Sequence, residues 1–337
     1  MKIKILFIYI FIQVTSIEAQ QRMLFSSQQQ QGFMQNPALV GLEDYREVKL
    51  IYHQQWTGFE GSPTLKGIGY STLIGKDSSG ISNKLKSLPL PGTKPMLISE
   101  STSKNKRNSK NKKGFGAVIM TESDGTISIT DYMSMFSFQF ERNKKTWLLG
   151  IGAGMLQYSF NPDNLRLVNS NDLTFSKQQR TMLMPSLQLS AAYMANDFFV
   201  CVNSKHSFKT NILNDASRSE LLPNTFISGG LKFKLLEHLT VVPSALIRIT
   251  KNTPNTADIS GLIDYKDLLR FGVLYRTNGD FSASAGITYN HSLSVLYSFD
   301  LTTSQLRSIY SNTHNIILSF RIRKTALSTN VPRNFWF

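Results

Sequence analysis

The stretch SLSVLYSFD, residues 292–300, alternates between two kinds of side chain. Leu293, Val295, Tyr297 and Phe299 fall on one face of an extended chain; Ser292, Ser294, Ser298 and Asp300 fall on the other, with Leu296 alone out of step. A period of two is the mark of a β-strand lying between unlike environments. The neighbouring stretches repeat it. Residues 281–289 set Phe281, Ala283, Ala285, Ile287 and Tyr289 against Ser282, Ser284, Gly286 and Thr288. Residues 312–322 set Ile316, Leu318, Phe320 and Ile322 against Thr313, Asn315, Ser319 and Arg321. A sandwich core tolerates this pattern, and so does a membrane barrel with lipid outside and a small-polar lumen inside.

Counting every such segment gives 48–55, 64–73, 114–121, 128–140, 146–159, 182–194, 197–206, 225–235, 238–250, 256–264, 268–277, 280–289, 291–300 and 312–322, which is fourteen. Most come close to the roughly 9–11 residues that a tilted strand needs to cross hydrocarbon. Parity then separates the two architectures. The even-to-odd connections at 141–145, 195–196, 236–237, 265–267 and around Asn290 are short, whereas the odd-to-even ones include 160–181, 207–224 and 301–311. Short turns at one end and longer loops at the other belong to an outer-membrane barrel, and a sandwich has no reason for them. The expected fold is therefore all-β: a transmembrane antiparallel β-barrel of the outer-membrane type, with about fourteen strands. Pro185 and Pro243, inside predicted strands, suggest bulges or strand ends.

The N-terminus agrees with export. Lys2 and Lys4 precede the apolar run Ile5 to Ile12, and a small residue, Ala19, offers a cleavage point, so residues 1–19 read as a signal peptide. Residues 20–47 then form a periplasmic or plug-like segment, 48–322 the barrel, and 323–337 a tail. That tail ends in VPRNFWF, and Phe337 is either an assembly signal or part of a periplasmic docking strip. The single cysteine, Cys201, cannot make an internal disulfide and reads as a small apolar strand residue.

The net charge of +15 has its densest cluster in one place. The connection 74–113 breaks the parity rule, and its end, KNKRNSKNKK, carries Lys104, Lys106, Arg107, Lys110, Lys112 and Lys113. A charged, weakly hydrophobic insertion is the plain reading; a contact for an acidic partner or for anionic headgroups is the sharper one. Export argues against nucleic acid as that partner.

Little in the chain reads as catalysis. The five histidines show no HxxxH or HExxH spacing, and one thiol makes no metal knuckle, so neither a metal nor a cofactor is expected. No GxSxG elbow is present, although His314 with Ser319, or His53 with a nearby serine, matches the residue types of a barrel hydrolase. GIGAG (150–154) lies within a strand, where glycine permits bending or close backbone approach, and DYKD (264–267) reads as a tight polar turn. The run QQWTGFEGSP, residues 54–63, is also a turn. Gly58 and Gly61 supply positive φ and Pro63 stiffens the exit, but Trp56 and Phe59 are large aromatics in a turn, which calls for a covering protein or a membrane interface.

Taken in order, these motifs resemble the PorP/SprF outer-membrane proteins of the type IX secretion system. The resemblance rests on QQGFMQNPALVG (30–41, with Asn36 and Pro37), QQWTGFEGSP (54–63), GFGAVIMTESDG (114–125), LGIGAGMLQYSF (149–160), DYKDLLRFGVLYR (264–276), YSFDLTTSQL (297–306) and SNTHNIILSFRI (311–322). It implies a non-enzymatic outer-membrane barrel that helps export or retain cargo proteins bearing C-terminal sorting domains, such as gliding adhesins. Implied partners are that cargo, other secretion components and outer-membrane lipid. Candidate partner-binding residues are Trp56, Gly58, Phe59, Gly61, Pro63, Asn36 and Pro37. A diffusion or uptake channel for a small ligand is the alternative, since a small-polar inner face also suits a wet lumen.

Overall fold

The computed structural model of the chain describes residues 28–43, 45–58, 60–74, 110–143, 145–161, 180–206, 210–211, 220–221, 223–251, 253–277, 279–302 and 312–323. The strands are β1 (Tyr45–Gln54), β2 (Thr64–Ile74), β3 (Lys110–Asp124), β4 (Ile127–Arg142), β5 (Lys145–Phe160), β6 (Arg180–Met194) and β7 (Phe198–Lys205). β8 (Asn224–Leu231) continues past Lys232 as Phe233–Leu236. There follow β9 (Leu239–Thr250), β10 (Thr256–Tyr265), β11 (Leu269–Arg276), β12 (Asp280–Tyr289), β13 (Leu293–Thr302) and β14 (Thr313–Arg323). Each strand pairs antiparallel with its sequence neighbours, and β14 returns to pair with β1, Tyr45 opposite Arg323 and Gln54 opposite His314. The result is a closed barrel of fourteen strands, as the alternation predicts.

Its two faces are inverted relative to a soluble protein. Outside lie exposed Ile119, Phe136, Phe138, Leu149, Val273 and Phe281; inside, buried, lie Lys49, His53, Gln139, Gln188, Asn203, Asp258 and Arg276. Such an arrangement suits lipid outside and a polar interior. Aromatic rings gather near both rims. Trp147, Tyr193 and Phe198 stack at one, with centroids 4.5 and 5.5 Å apart. Tyr275 and Phe281 pair at the other, 5.0 Å apart. Leu296, the residue out of step, points inward and fits over Gly286, where a Cβ would meet its side chain at 2.9 Å.

The rim that carries the start of β1 and the end of β14 also carries the tightest turns. Tyr265 to Leu268 and Tyr289 to Ser292 each close with a backbone hydrogen bond (3.0 and 3.1 Å) around two residues of positive φ, Lys266–Asp267 and Asn290–His291. Two such residues in succession give the primed hairpin turn that follows strand twist. By the rule of outer-membrane barrels this rim is the periplasmic one.

Three sequence expectations change. Lys110, Lys112 and Lys113 belong to β3, paired with Glu141, Gln139 and Phe138 of β4, so the basic connection is shorter than 74–113; Lys113 also sits over the Phe138 ring, 6.0 Å from its centroid. Residues 45–47 belong to β1 rather than to the N-terminal segment. Pro185 lies in unbroken register with Met155 of β5, and its other edge is beyond the β6–β7 ladder, which begins at Gln188. Pro243 does mark an irregularity, since it sits where β8 is interrupted at Lys232.

Lipid exposure of the outer face makes a depth-dependent prediction. Val273→Lys, in the middle of β11, should destabilise the barrel by about 2–4 kcal/mol, and Glu237→Lys, in the β8–β9 turn, by about 0–1 kcal/mol. Denaturant unfolding of the protein folded into phospholipid vesicles measures both.

Candidate functional site

A fourteen-strand barrel has an interior too wide for its own side chains to fill: about eight strands suffice for that, and roughly sixteen leave a water channel. Here many inward residues are serine and glycine, which widens the space further. The N-terminal segment occupies it. Residues 31–41 are all buried, and they form short 3-10 turns rather than strands: Gln28–Met34, broken at Gly32 (φ 59), then Pro37–Leu39. Asn36 caps the second turn, its side-chain oxygen accepting from the Ala38 N–H at 3.0 Å.

Close approach of backbone to wall is what makes the fit possible. A Cβ on Gly150 would lie 2.1 Å from the Ala38 nitrogen, and one on Gly114 would lie 2.1 Å from the Val40 carbonyl oxygen. No side chain survives such contacts. Gly69, in β2, leaves the space that Met34 and Phe33 fill. The GIGAG and GFGAV motifs and the QNPALVG motif are thus two sides of one contact.

Irregular backbone inside a barrel needs partners for its polar groups, and the wall supplies them. Ser137 Oγ and Gln139 Nε2 donate to the Val40 carbonyl at 2.5 and 3.2 Å, and Gln139 Nε2 also to that of Gly41 at 2.8 Å. Gln188 Nε2 and Asn203 Nδ2 donate to the Gln35 carbonyl at 2.5 and 2.6 Å. Lys49 Nζ donates to the Gln31 carbonyl at 3.3 Å, with its ammonium 5.3 Å from the Phe33 ring centroid. In the other direction, Ser190 Oγ accepts from the Ala38 N–H and Ser71 Oγ from the Gly41 N–H, both at 2.8 Å.

Beside the segment lies a second polar group that sequence spacing does not reveal. Asp131 takes Lys205 Nζ at 2.8 Å, His206 Nε2 stands 3.7 Å from the same carboxylate, and His206 Nδ1 contacts Ser186 Oγ at 3.0 Å. A hydrolytic triad uses the imidazole the other way round, with the serine on Nε2 and the carboxylate on Nδ1. Lys205 also holds the Asp131 carboxylate, so the group reads as a charge-balanced lumen network. The serine–histidine pair considered from sequence does not form: His314 faces outward to the Tyr297 hydroxyl at 2.7 Å, while Ser319 points into the barrel.

The aromatic turn, residues 55–63, lies at the opposite rim from the start of β1 and the end of β14. Gly58 (φ 95) and Gly61 (φ 75) take positive φ as expected, and so does Trp56 (φ 53). Non-glycine residues rarely sit there, bulky ones least of all. The strain is held by the start of β14: the Thr57 N–H donates to the Asn312 carbonyl at 3.1 Å and the Trp56 N–H to Thr313 Oγ1 at 3.4 Å. Pro63 is buried and its carbonyl accepts from the Gln55 N–H at 2.9 Å. Trp56 is half-buried; Phe59 lies outside the described residues, as do Lys104, Lys106 and Arg107. Asn36 and Pro37, candidates for partner contact in the sequence, are instead buried within the barrel. An outside partner reaches them only after the segment moves.

Comparison with known families matches residues 17–86 and 95–320 to the type IX secretion system membrane protein PorP/SprF. The chain belongs to the PorP/SprF family. This family and the barrel together place the protein in the outer membrane. No curated protein is significantly similar in sequence. Among solved structures, the toluene transporter TbuX of Ralstonia pickettii is similar with a TM-score of 0.50 at 9% identity, covering 86% of this chain and 92% of that one. A FadL homologue of Pseudomonas aeruginosa gives 0.47 at 11% identity (86% and 92%), and the CymD monoaromatic hydrocarbon channel 0.46 at 12% (86% and 91%). At such identity the TbuX likeness supports the barrel fold and nothing about what this PorP/SprF member carries.

If the glycine wall seats the N-terminal segment, Gly150→Val should leave the barrel inserted but push residues 37 and 38 off the wall. Heat-modifiable gel migration checks insertion. Single-channel conductance in planar bilayers should then rise several-fold over the unchanged protein.

Proposed function

We propose that the protein is a non-enzymatic component of the type IX secretion system that assists export or surface attachment of proteins with C-terminal sorting domains, gliding adhesins among them. The family match across most of the chain carries this reading. The filled lumen supports it over free diffusion, because residues 31–41 and the polar side chains around them are buried where an open channel would be wet. A small serine-lined cavity near Ser244, Ser260, Ser282 and Ser284 remains beside Gln30, and it is the feature that best fits a small-ligand channel.

Contact with cargo or with other secretion components falls, in this proposal, to the turn carrying Trp56, Gly58, Phe59, Gly61 and Pro63, and at the periplasmic rim to Lys110, Lys112 and Lys113 at the start of β3 together with the basic connection that leads into them. A strained tryptophan braced by two hydrogen bonds is a pre-set anchor, and ordering it in advance lowers the entropy lost on binding. The basic cluster suits acidic protein surfaces or anionic headgroups.

Affinity purification of a tagged copy from outer membranes in mild detergent should recover a sorting-domain protein or secretion-ring components. Trp56→Ala and Phe59→Ala should each insert normally, judged by heat-modifiable migration, yet lose that recovery and the surface display of the cargo. Loss of insertion would make these residues simple girdle aromatics. A lone, monodisperse barrel, with deletion slowing growth on a nutrient and sparing surface proteins, would favour the channel.

A further inference from the structure

We propose that the trough inside the barrel is a peptide-binding site that reads backbone: residues 33–41 fill it in cis, and a second polypeptide segment takes it when they leave. Assigning that second segment to an exported protein rests on the secretion reading above.

Three observations point to an exchangeable site rather than a fixed core. The wall donors Ser137, Gln139, Gln188 and Asn203 all address main-chain carbonyls of the segment. Any chain tracing the same path can accept those hydrogen bonds, whatever its side chains. Beside them on the same wall, Gly114 and Gly150 leave room for a passing backbone and for little else. Second, among the described residues no β-ladder ties the segment to the barrel; it hangs between two glycines of positive φ, Gly32 (59°) and Gly41 (62°), which serve as hinges. Third, residues 28–42 carry no charged side chain. Leaving the trough therefore breaks no ion pair of the segment's own, and the ligand class follows: a neutral, irregular stretch of about ten residues, with a proline-initiated turn in place of helix or strand. A tethered segment competes at an effective concentration in the millimolar range, so the site is closed to other peptides until the cis segment is weakened or pulled away.

The test uses the full-length protein in detergent and a fluorescein-labelled peptide of residues 28–43. Gly41→Val disables the cis segment alone: a Cβ there meets Gly114 Cα and the Thr72 carbonyl oxygen at 2.7 Å, and φ 62 disfavours a branched residue. Fluorescence anisotropy should show saturable binding to Gly41→Val, at least tenfold weaker binding to the unchanged protein, and loss of binding when Gly150→Val is added to the wall. Should Gly41→Val fail to insert, Asn36→Ala, which removes the cap, replaces it with the same expected order. No binding by the weakened variant, or equal binding with and without Gly150→Val, overturns the proposal. Peptide binding by a protein whose deletion spares export would keep the site and remove the secretion reading; export dependence without peptide binding would do the reverse.

Discussion

Contact between the backbone of residues 37–41 and a wall stripped of side chains at Gly114 and Gly150 is the constraint on which the interior depends. With any Cβ at either position the segment could not lie where Ser190, Ser71 and Gln139 meet its polar groups. Each of those hydrogen bonds contributes on the order of 1 kcal/mol net, while a buried backbone group left unmet costs about 1–3 kcal/mol. Glycine in a strand is itself unfavourable by roughly 0.5–1 kcal/mol against alanine. The wall accepts that small cost at a few positions because the alternative is a set of unmet carbonyls in the lumen.

The outer face answers to a different solvent. Strands that show Phe136, Leu149 and Val273 to lipid show Gln139, Gly150 and Arg276 to the interior, and β14 closes on β1, so that among the described strands open edges are confined to places where a ladder stops short, as along residues 180–187 of β6. Fold and lumen are therefore linked through one alternation: every residue lost from the outer set shifts its neighbours in the inner one. What such a barrel can contact is left to its rims and to whatever enters its lumen, which is where the aromatic turn and the exchangeable segment lie.

Strand number and order were legible because alternation is local, and residues 281–289, 292–300 and 312–322 each carry it almost without a break. The periplasmic end of β3 was not. Lys110, Lys112 and Lys113 read as a solvated run, yet they extend the ladder to β4 beyond the apolar stretch, where pairing rather than hydrophobicity holds a strand. Glycines 150–154 announced a close approach without naming what approaches, since the partner is more than a hundred residues away. The segment 20–47 read as periplasmic or plug-like, but the motif around Asn36 and Pro37 did not name the wall residues that meet it, for the same reason. The Asp131, Lys205, His206 and Ser186 group had no signal at all: three strands bring it together, and no spacing along the chain encodes that meeting.

Amide hydrogen exchange of the protein in lipid, followed by mass spectrometry over peptides spanning residues 31–41, tests the account most directly. A segment seated on the glycine wall, with its N–H groups buried and partly bonded to Ser190 and Ser71, should exchange nearly as slowly as the barrel strands. Exchange as fast as that of the turn at 55–63 would contradict it, and the lumen would then need another explanation for its glycines.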